Sequence, residues 1–146
     1  MNKALNYLSL ARKAGRAELG EEPVGAAARA LLAHLVVVAS DASDHTWRRA
    51  KSFVAGTKQQ CLRLPVTKDE MGMAIGRTSL AIAAITDVSL ALALVEALEQ
   101  PERYRETLEI LSTAASRAQQ RSKEAKAHLR NKRLGKHRSA GVKKNG

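Results

Sequence analysis

The chain has 146 residues, of which 45% are hydrophobic and 27% are charged, and this length accommodates one domain with a buried core plus an appended segment. Its single cysteine, Cys61, excludes an internal disulfide and a metal site built from several thiolates of one chain. No apolar run is long enough to span a bilayer, and no signal-peptide core precedes a small-residue cleavage site. We therefore expect a cytoplasmic protein that does not bind a membrane.

Charge is distributed unevenly along the chain, whose net charge is +11. Residues 1–116 contain 14 basic and 13 acidic residues, whereas residues 117–146 contain 11 basic residues and one acidic residue. Almost all of the excess positive charge therefore belongs to the last 30 residues. A basic segment behind a near-neutral domain predicts an arm that neutralises phosphates. A solvated terminus that only aids solubility is the alternative.

The first predicted helix covers residues 2–14, where four apolar side chains recur at helical spacing, and a short strand follows at 17–20. Gly20 permits a turn without a side chain in the way, and Pro23 suits the first position of a second helix at 23–33. We expect the free amides at the start of that helix to form a phosphate site beside three cations, Arg12, Lys13 and Arg16. An ordinary connection between two helices is the alternative interpretation.

Two continuous apolar runs, at about 35–40 and 80–86, predict strands that are buried on both faces. A sheet that contains such strands needs helices on both of its sides. Thr67 and Glu70 have the spacing of a capping box, which fixes the start of one of these helices. The remaining predicted elements are a fourth strand, at 61–65, and helices at 43–56, 67–75 and 87–99.

Four sequence segments together resemble a known family. In chain order they are AGR…GEE, LVVVASDAS, KDEMGMAIG and AIAAITD. Residues 1–98 are similar to the L-seven-Ae / L-thirty-e ribosomal protein family, and most similar to its short bacterial, YlxQ-like members. The resemblance implies an α/β fold, a three-layer α-β-α sandwich with a mixed four-stranded sheet, and binding of kink-turn RNA without a cofactor.

The resemblance also implies where RNA would bind. The loop of Gly20, Glu21 and Glu22 would meet tandem sheared G·A pairs, with Asp41 nearby, and the loop of Arg77 and Thr78 would face nucleotides flipped out of the bend. Archaeal and eukaryotic members carry an Asn-Glu pair and a downstream lysine where this chain has Glu22, Pro23 and Ala26. The resemblance therefore supports RNA binding in general more strongly than kink-turn specificity.

Several of these residues also have a plainer interpretation. Glu21 and Glu22 favour the dipole of the helix that they begin, and Asp41 and Ser43 are ordinary residues for the start of the helix that follows them. Arg77 has no local partner, and we expect it to contact a phosphate or a base. With Arg16, the candidate RNA-binding residues of the domain are Arg16, Gly20, Glu21, Glu22, Asp41, Arg77 and Thr78.

The segment after Pro101 predicts a helix over about 102–132, because apolar residues continue at four-three spacing. Its first half either docks on the domain or pairs with another copy through Tyr104, Leu108 and Leu111. Its second half is too polar to hold itself in place, and we expect it to order fully only on RNA, which it would contact through Arg117, Arg121, Lys123, Lys126 and Arg130. The predicted organisation is a domain at 1–99, a helix at 100–134 and a disordered basic tail at 135–146.

We expect no enzyme, cofactor or metal site. Cys61 lies in a short strand and is expected to be a buried structural thiol, while Trp47 is expected to belong to the core. The preferred hypothesis is a non-catalytic bacterial protein that binds structured RNA, ribosomal or other, with the ribosome as a candidate partner. A module for protein interaction or self-association is the second hypothesis. A substrate-recognition domain of an RNA methyltransferase is the third, although 146 residues leave no room for a methyl-donor domain.

Overall fold

The computed structural model describes the backbone of residues 2–138 and the side chains of residues 2–132. Within these residues the chain forms four strands and six helices, close to the predicted positions. The strands are β1 (Ala17–Leu19), β2 (Leu35–Val38), β3 (Gln60–Arg63) and β4 (Ile82–Ile85). The helices are α1 (Lys3–Lys13), α2 (Glu21–Arg29), α3 (Asp44–Val54), α4 (Lys68–Ala74), α5 (Val88–Ala97) and α6 (Arg105–Arg138). No helix within residues 2–138 is both long enough and apolar enough to cross a membrane.

The four strands form one mixed sheet in the order β1-β4-β2-β3, in which β4 is antiparallel to both of its neighbours and β2 is parallel to β3. The two central strands are buried along their whole length, as their continuous apolar sequences predicted. Helices α2 and α3 pack on one face of the sheet, and α1, α4 and α5 cover the other. The predicted α/β sandwich with a mixed four-stranded sheet is therefore confirmed.

The sheet has two ends, and the direction of the strands decides which loops share an end. Strands β1, β2 and β3 finish where β4 begins, because Leu19 pairs with Ala83 and Val38 pairs with both Ile82 and Arg63. We call this end the rim; its loops are residues 20–22, 39–43, 64–67 and 76–81. The opposite end, which we call the far end, carries residues 14–16, 30–34, 55–59 and 86–87.

Two predicted helix starts have different outcomes. The capping box of α4 is confirmed, because Thr67 Oγ1 accepts from the Glu70 amide at 3.1 Å and Glu70 Oε1 accepts from the Thr67 amide at 2.8 Å. Helix α2 begins at Glu21, two residues before the predicted start, with Gly20 as its N-cap. Pro23 is therefore the third helical residue and not the first. The first turn accepts proline at either position, since its amides have no partner inside the helix.

Helix α6 docks on the domain by its first half, which was one of two predicted alternatives. Tyr104 and Leu111 are only 5% and 2% exposed, Leu108 is half-buried, and the helix packs against α5. Thr107 Oγ1 donates to Gln60 Oε1 at 2.9 Å, which ties α6 to the edge strand β3. The proposed self-association through Tyr104, Leu108 and Leu111 therefore has little free surface, since these side chains already belong to the chain's own core.

The second half of α6 continues to Arg138, beyond the predicted helix end near residue 132 and the boundary at 134. A single glycine lowers helix stability by about 1 kcal/mol relative to alanine, which does not by itself end a helix, and the backbone stays helical through Gly135. The predicted disordered tail began at residue 135, and its residues 139–146 lie outside the described residues.

Candidate nucleic-acid interface

The turn between β1 and α2 is built on Gly20. Its φ of 98° is in the region that disfavours any side chain, and its amide donates to the Ile82 carbonyl at 3.0 Å, which holds the turn against the start of β4. Gly20 offers no side-chain cap, so the amides of Glu21 and Glu22 begin α2 without a partner inside the helix. The rim thus presents uncapped amides at the positive end of a helix dipole.

The two glutamates that follow Gly20 have different surroundings. Arg49 Nε, on α3, donates to Glu21 Oε1 at 2.6 Å, and the Arg49 guanidinium also lies over the Phe53 ring. Glu21 therefore links α2 to α3, a role that its sequence position did not indicate. Glu22 is exposed and makes no ion pair or side-chain hydrogen bond within residues 2–132, so its carboxylate is available to a ligand.

Asp41 supports a different helix from the one predicted. Its Oδ1 accepts from the amide of Lys68, the first residue of α4, at 2.8 Å. The helix that follows Asp41 in sequence is capped instead by Ser43, whose Oγ accepts from the Thr46 amide at 3.1 Å. The prediction of residues that start α3 is therefore confirmed for Ser43 and wrong for Asp41. Asp41 fastens the loop after β2 to the start of α4 across 27 residues of sequence.

The loop before β4 lies directly on helix α4. A Cβ placed on Gly72 would lie 2.5 Å from the Ser79 amide nitrogen, so only glycine allows the loop to come this close. Gly76 has a φ of 76°, and the Arg77 amide donates to the Gly72 carbonyl at 2.8 Å. Arg77 and Thr78 are exposed at the outer side of this loop, and Arg77 forms no ion pair with any residue whose side chain the structure describes.

Six of the seven predicted residues of the domain share the rim. The Gly20 amide bonds to the Ile82 carbonyl and the Ala39 amide to the Ala81 carbonyl, each at 3.0 Å, so the loops after β1 and β2 flank the start of β4. The residues gathered at this end are Gly20, Glu21, Glu22, Asp41, Arg77 and Thr78.

Arg16 does not belong to that group, and neither do the other two cations of the predicted phosphate site. The Arg16 carbonyl accepts from the Thr86 amide at 2.9 Å, which puts Arg16 at the far end of β1, ~13 Å from the rim at ~3.3 Å per strand residue. Arg12 and Lys13 end α1 and also precede β1. The prediction that the α2 amides lie beside these cations is wrong, because the strand separates them.

The basic half of α6 leaves the domain at the far end as well. Arg117 lines a groove together with Thr57 and Lys58, which belong to the loop before β3. From there to residue 132 the helix carries one acidic residue, Glu124, and six exposed cations, Arg117, Arg121, Lys123, Lys126, Arg130 and Lys132. The predicted RNA-binding residues of the arm are therefore exposed, but they do not lie beside the rim.

Comparison with known proteins identifies the fold. No protein-family model matches the sequence, and no curated protein matches it. The chain is similar to a protein of unknown function from Bacillus halodurans, with a TM-score of 0.64 and 24% identity over 68% of this chain and all of the other. It is also similar to a 15.5 kD RNA-binding protein from Giardia lamblia, with a TM-score of 0.56 and 16% identity over 68% of this chain and 84% of the other. The domain thus shares its fold with a protein described as RNA-binding, and about a third of the chain has no counterpart in either structure.

A cluster of two cations and one aromatic ring was missed by sequence reasoning. Trp47, on α3, is half-buried and packs against the core as predicted. The Arg63 guanidinium carbon lies 4.9 Å and the Lys51 ammonium nitrogen 5.3 Å from the centre of its ring. The spacing of Trp47 and Lys51 on one helix face was visible in the sequence. The approach of Arg63 from β3 was not, because it depends on how the helix crosses the strand.

Cys61 is partly buried on β3, and burial raises the pKa of its thiol from 9.0 to about 12. The nearby Lys51 charge opposes this rise in pKa only in part. At neutral pH the thiol is therefore protonated, which suits a structural role better than a nucleophilic one.

Burial lowers the pKa of His34, and the negative charge of Asp87 acts in the opposite direction. Within residues 2–132 no group of three or more metal-binding side chains is close enough together to hold a metal ion.

Proposed function

We propose that this protein is a non-catalytic, cytoplasmic RNA-binding protein that recognises structured RNA of the kink-turn type, ribosomal or other, with its rim. The observation that carries the proposal is the rim itself. Three loops are fixed there by backbone hydrogen bonds. Together they present uncapped amides, the carboxylate of Glu22 and the guanidinium of Arg77, neither of which forms an ion pair within residues 2–132. The fold shared with the Giardia RNA-binding protein and the cationic arm support the same proposal.

Each group at the rim has a chemical counterpart in folded RNA. The α2 amides and Arg77 suit phosphate oxygens, and a guanidinium can also stack on an unpaired base. The carboxylate of Glu22 accepts from base amino groups, as acidic side chains do from cytosine in DNA. Because the loops are already held in place, binding does not have to order them, and the entropy cost of recognition is low.

The arm contributes affinity without reading sequence. If the five cations from Arg117 to Arg130 each neutralise one phosphate, they add about −4.5 to the slope of log K against log salt, taking the duplex coefficient of 0.9 per phosphate. The arm begins at the far end, so an RNA that contacts both regions must run along the whole length of the domain.

A binding experiment separates the two regions. Binding would be measured between 50 and 200 mM salt, for a kink-turn hairpin and for the same hairpin with its tandem G·A pairs replaced by Watson–Crick pairs. Arg77→Ala should weaken binding of the kink-turn hairpin about tenfold and reduce the preference between the two RNAs. The matched control, Arg16→Ala, removes an exposed arginine at the far end and should leave the preference unchanged.

A full-length arm variant tests the other half of the proposal. Replacing Arg121, Lys123, Lys126 and Arg130 by glutamine should make the salt slope shallower by about 3.6 and leave the preference between the RNAs intact. Equal affinity of the unmodified protein for both hairpins would refute specificity for kink-turn RNA. Failure to bind any folded RNA would remove the function.

A further inference from the structure

Two nitrogens of the Arg63 guanidinium are buried without a hydrogen-bond partner among the described residues. Arg63 is the last residue of β3, and its Nε and Nη2 are buried although no described residue accepts a hydrogen bond from either. A guanidinium stays charged at any physiological pH and carries five N–H donors. Buried donors in native proteins almost always have a partner in the protein, in water or in a ligand. These two nitrogens therefore lack an acceptor among the residues whose side chains the structure describes, and the candidates for one are ordered water and a bound ligand.

A second positive charge lies on the same ring. The distances of Lys51 and Arg63 to the Trp47 centroid, 5.3 and 4.9 Å, place the two charges at most about 10 Å apart. Neither cation forms an ion pair within the described side chains. The upper bound on their separation is comparable to the Debye length of about 8 Å at physiological salt, so the two charges repel each other only weakly at that distance, and an anion that contacted both would be attracted by each.

The cluster lies at the rim end of the sheet. Arg63 pairs with Val38, the last residue of β2, and α3 begins three residues before Trp47, directly after the rim loop that contains Asp41. Strand β3 is an edge strand, so no neighbouring strand covers the side of the sheet on which Arg63 lies, and an outward movement of the Arg63 side chain would bring its two buried nitrogens within reach of a ligand. An RNA seated on the rim would carry its backbone past this edge.

We infer that Arg63 and Lys51 together hold one phosphate group of the bound RNA, with the Trp47 ring keeping the two cations in place. The inference rests on the proposed function and extends the interface from the rim onto the open edge of β3. A phosphate fits because its oxygens accept from several donors at once and its charge balances two cations that have no acidic partner. Cation–π contacts with Trp47 hold the guanidinium and the ammonium in place before RNA arrives.

Trp47 is the only tryptophan of the chain, which makes its fluorescence a specific reporter of this site. Binding of the kink-turn hairpin to the full-length protein should change the Trp47 emission, and Arg63→Gln should abolish that change. Arg63→Lys keeps the charge but loses the planar fork of donors, and it should restore the signal only in part. Far-UV circular dichroism and the Tm of each variant show that it is folded, and Lys51→Gln, at an exposed position, gives an independent variant.

The salt dependence of binding tests whether the two cations share one phosphate. A variant with both Lys51→Gln and Arg63→Gln should make the slope of log K against log salt shallower by about 0.9, the value for one phosphate. Lys13→Gln removes an exposed lysine at the end of α1, on the face of the sheet opposite to α3, and it should leave both the slope and the emission signal unchanged.

The outcomes distinguish this inference from the function on which it rests. Two results together would overturn the site and leave the proposed function standing. They are tight RNA binding by the unmodified protein without a change in Trp47 emission, and the same slope of log K against log salt in the double variant as in the unmodified protein. A slope shallower by about 1.8 would overturn the single shared phosphate. Absence of RNA binding by the unmodified protein would overturn both.

Discussion

Gly72 controls how closely the Arg77 loop approaches helix α4, and its replacement gives a sharp test of the rim. Alanine is about 1 kcal/mol more favourable than glycine inside a helix, so helix propensity alone predicts that Gly72→Ala stabilises the protein. The structure predicts the opposite. The new Cβ would lie 2.5 Å from the Ser79 nitrogen, 2.7 Å from the Ser79 Cα and 2.8 Å from the Thr78 carbonyl carbon.

The clash cannot be relieved by a side-chain rotation, because all three atoms are backbone. To reach ordinary contact the loop must retreat by almost 1 Å, which strains the bonds from the Arg77 amide to Gly72 and from the Leu80 amide to Lys68, now 2.8 and 3.0 Å long. Overpacking of this kind typically costs 1–3 kcal/mol. Because the new Cβ meets three backbone atoms at less than 3 Å, we take the upper part of that range, about 2–3 kcal/mol. Subtracting the gain of about 1 kcal/mol in helix propensity, we expect Gly72→Ala to lower the free energy of unfolding by about 1–2 kcal/mol.

Urea unfolding followed by far-UV circular dichroism measures this change, and Gly25→Ala supplies a matched control. Gly25 is also a buried helical glycine, but an added Cβ there would meet the Phe53 ring edge at 3.0 Å and Arg29 Nη1 at 3.3 Å, both on side chains that can move. We expect Gly25→Ala to change stability by less than about 1 kcal/mol. A Gly72→Ala protein as stable as the unmodified protein would refute the close contact and, with it, the fixed position of Arg77.

Two further predictions concern Asp41 and Cys61. Asp41→Ala should lower the free energy of unfolding, measured in urea, by about 1 kcal/mol, because the hydrogen bond from the Lys68 amide is lost. Asp41→Asn keeps an acceptor and should lower it less. Equal losses in the two variants would show that this hydrogen bond is not the cause. At pH 7.5 iodoacetamide should modify Cys61 about 1,000-fold more slowly in the folded protein than in urea, because burial raises the thiol pKa from 9.0 to about 12. Equal alkylation rates in the folded protein and in urea would contradict the burial. Because the thiol pKa is higher in the folded protein than in the unfolded chain, the stability that the protonated thiol contributes is complete below pH 9 and is lost as pH rises toward 12.

The fold was predictable because its main signals are local. The apolar runs that became β2 and β4 have no polar position to place at a surface, so they had to lie inside a sheet covered on both faces. The capping box of Thr67 and Glu70 is complete within four residues and needs no tertiary contact. The start of α2 was less certain because its N-cap, Gly20, has no side chain that the sequence pattern could reveal.

The candidate site was predictable only in part, because several of its contacts join distant segments. The bond of Asp41 to Lys68 and the ion pair of Glu21 with Arg49 span 27 and 28 residues, and each segment by itself indicates an ordinary helix start. Arg16 was grouped with the α2 amides because the two are close in sequence. Three strand residues between them are enough to place them at opposite ends of the sheet.

If the proposed function holds, this separation of the two ends gives specificity and affinity to different residues. Among the candidate residues of the rim, Glu22 and Asp41 offset the charge of Arg77, while Glu21 is paired with Arg49. These loops therefore add little general attraction for a polyanion but offer donors and acceptors in fixed positions. The arm has the reverse character, since its exposed cations are long, flexible side chains on one helix, which suit contacts to phosphates rather than to base edges. Arginines and lysines four residues apart on that helix, such as Lys126 and Arg130, also repel each other, and bound phosphates would stabilise the helix by neutralising them. Preference among RNAs should therefore follow the rim and salt dependence the arm, which is why a single-residue change at Arg77 and a charge change at the arm are expected to alter different observables.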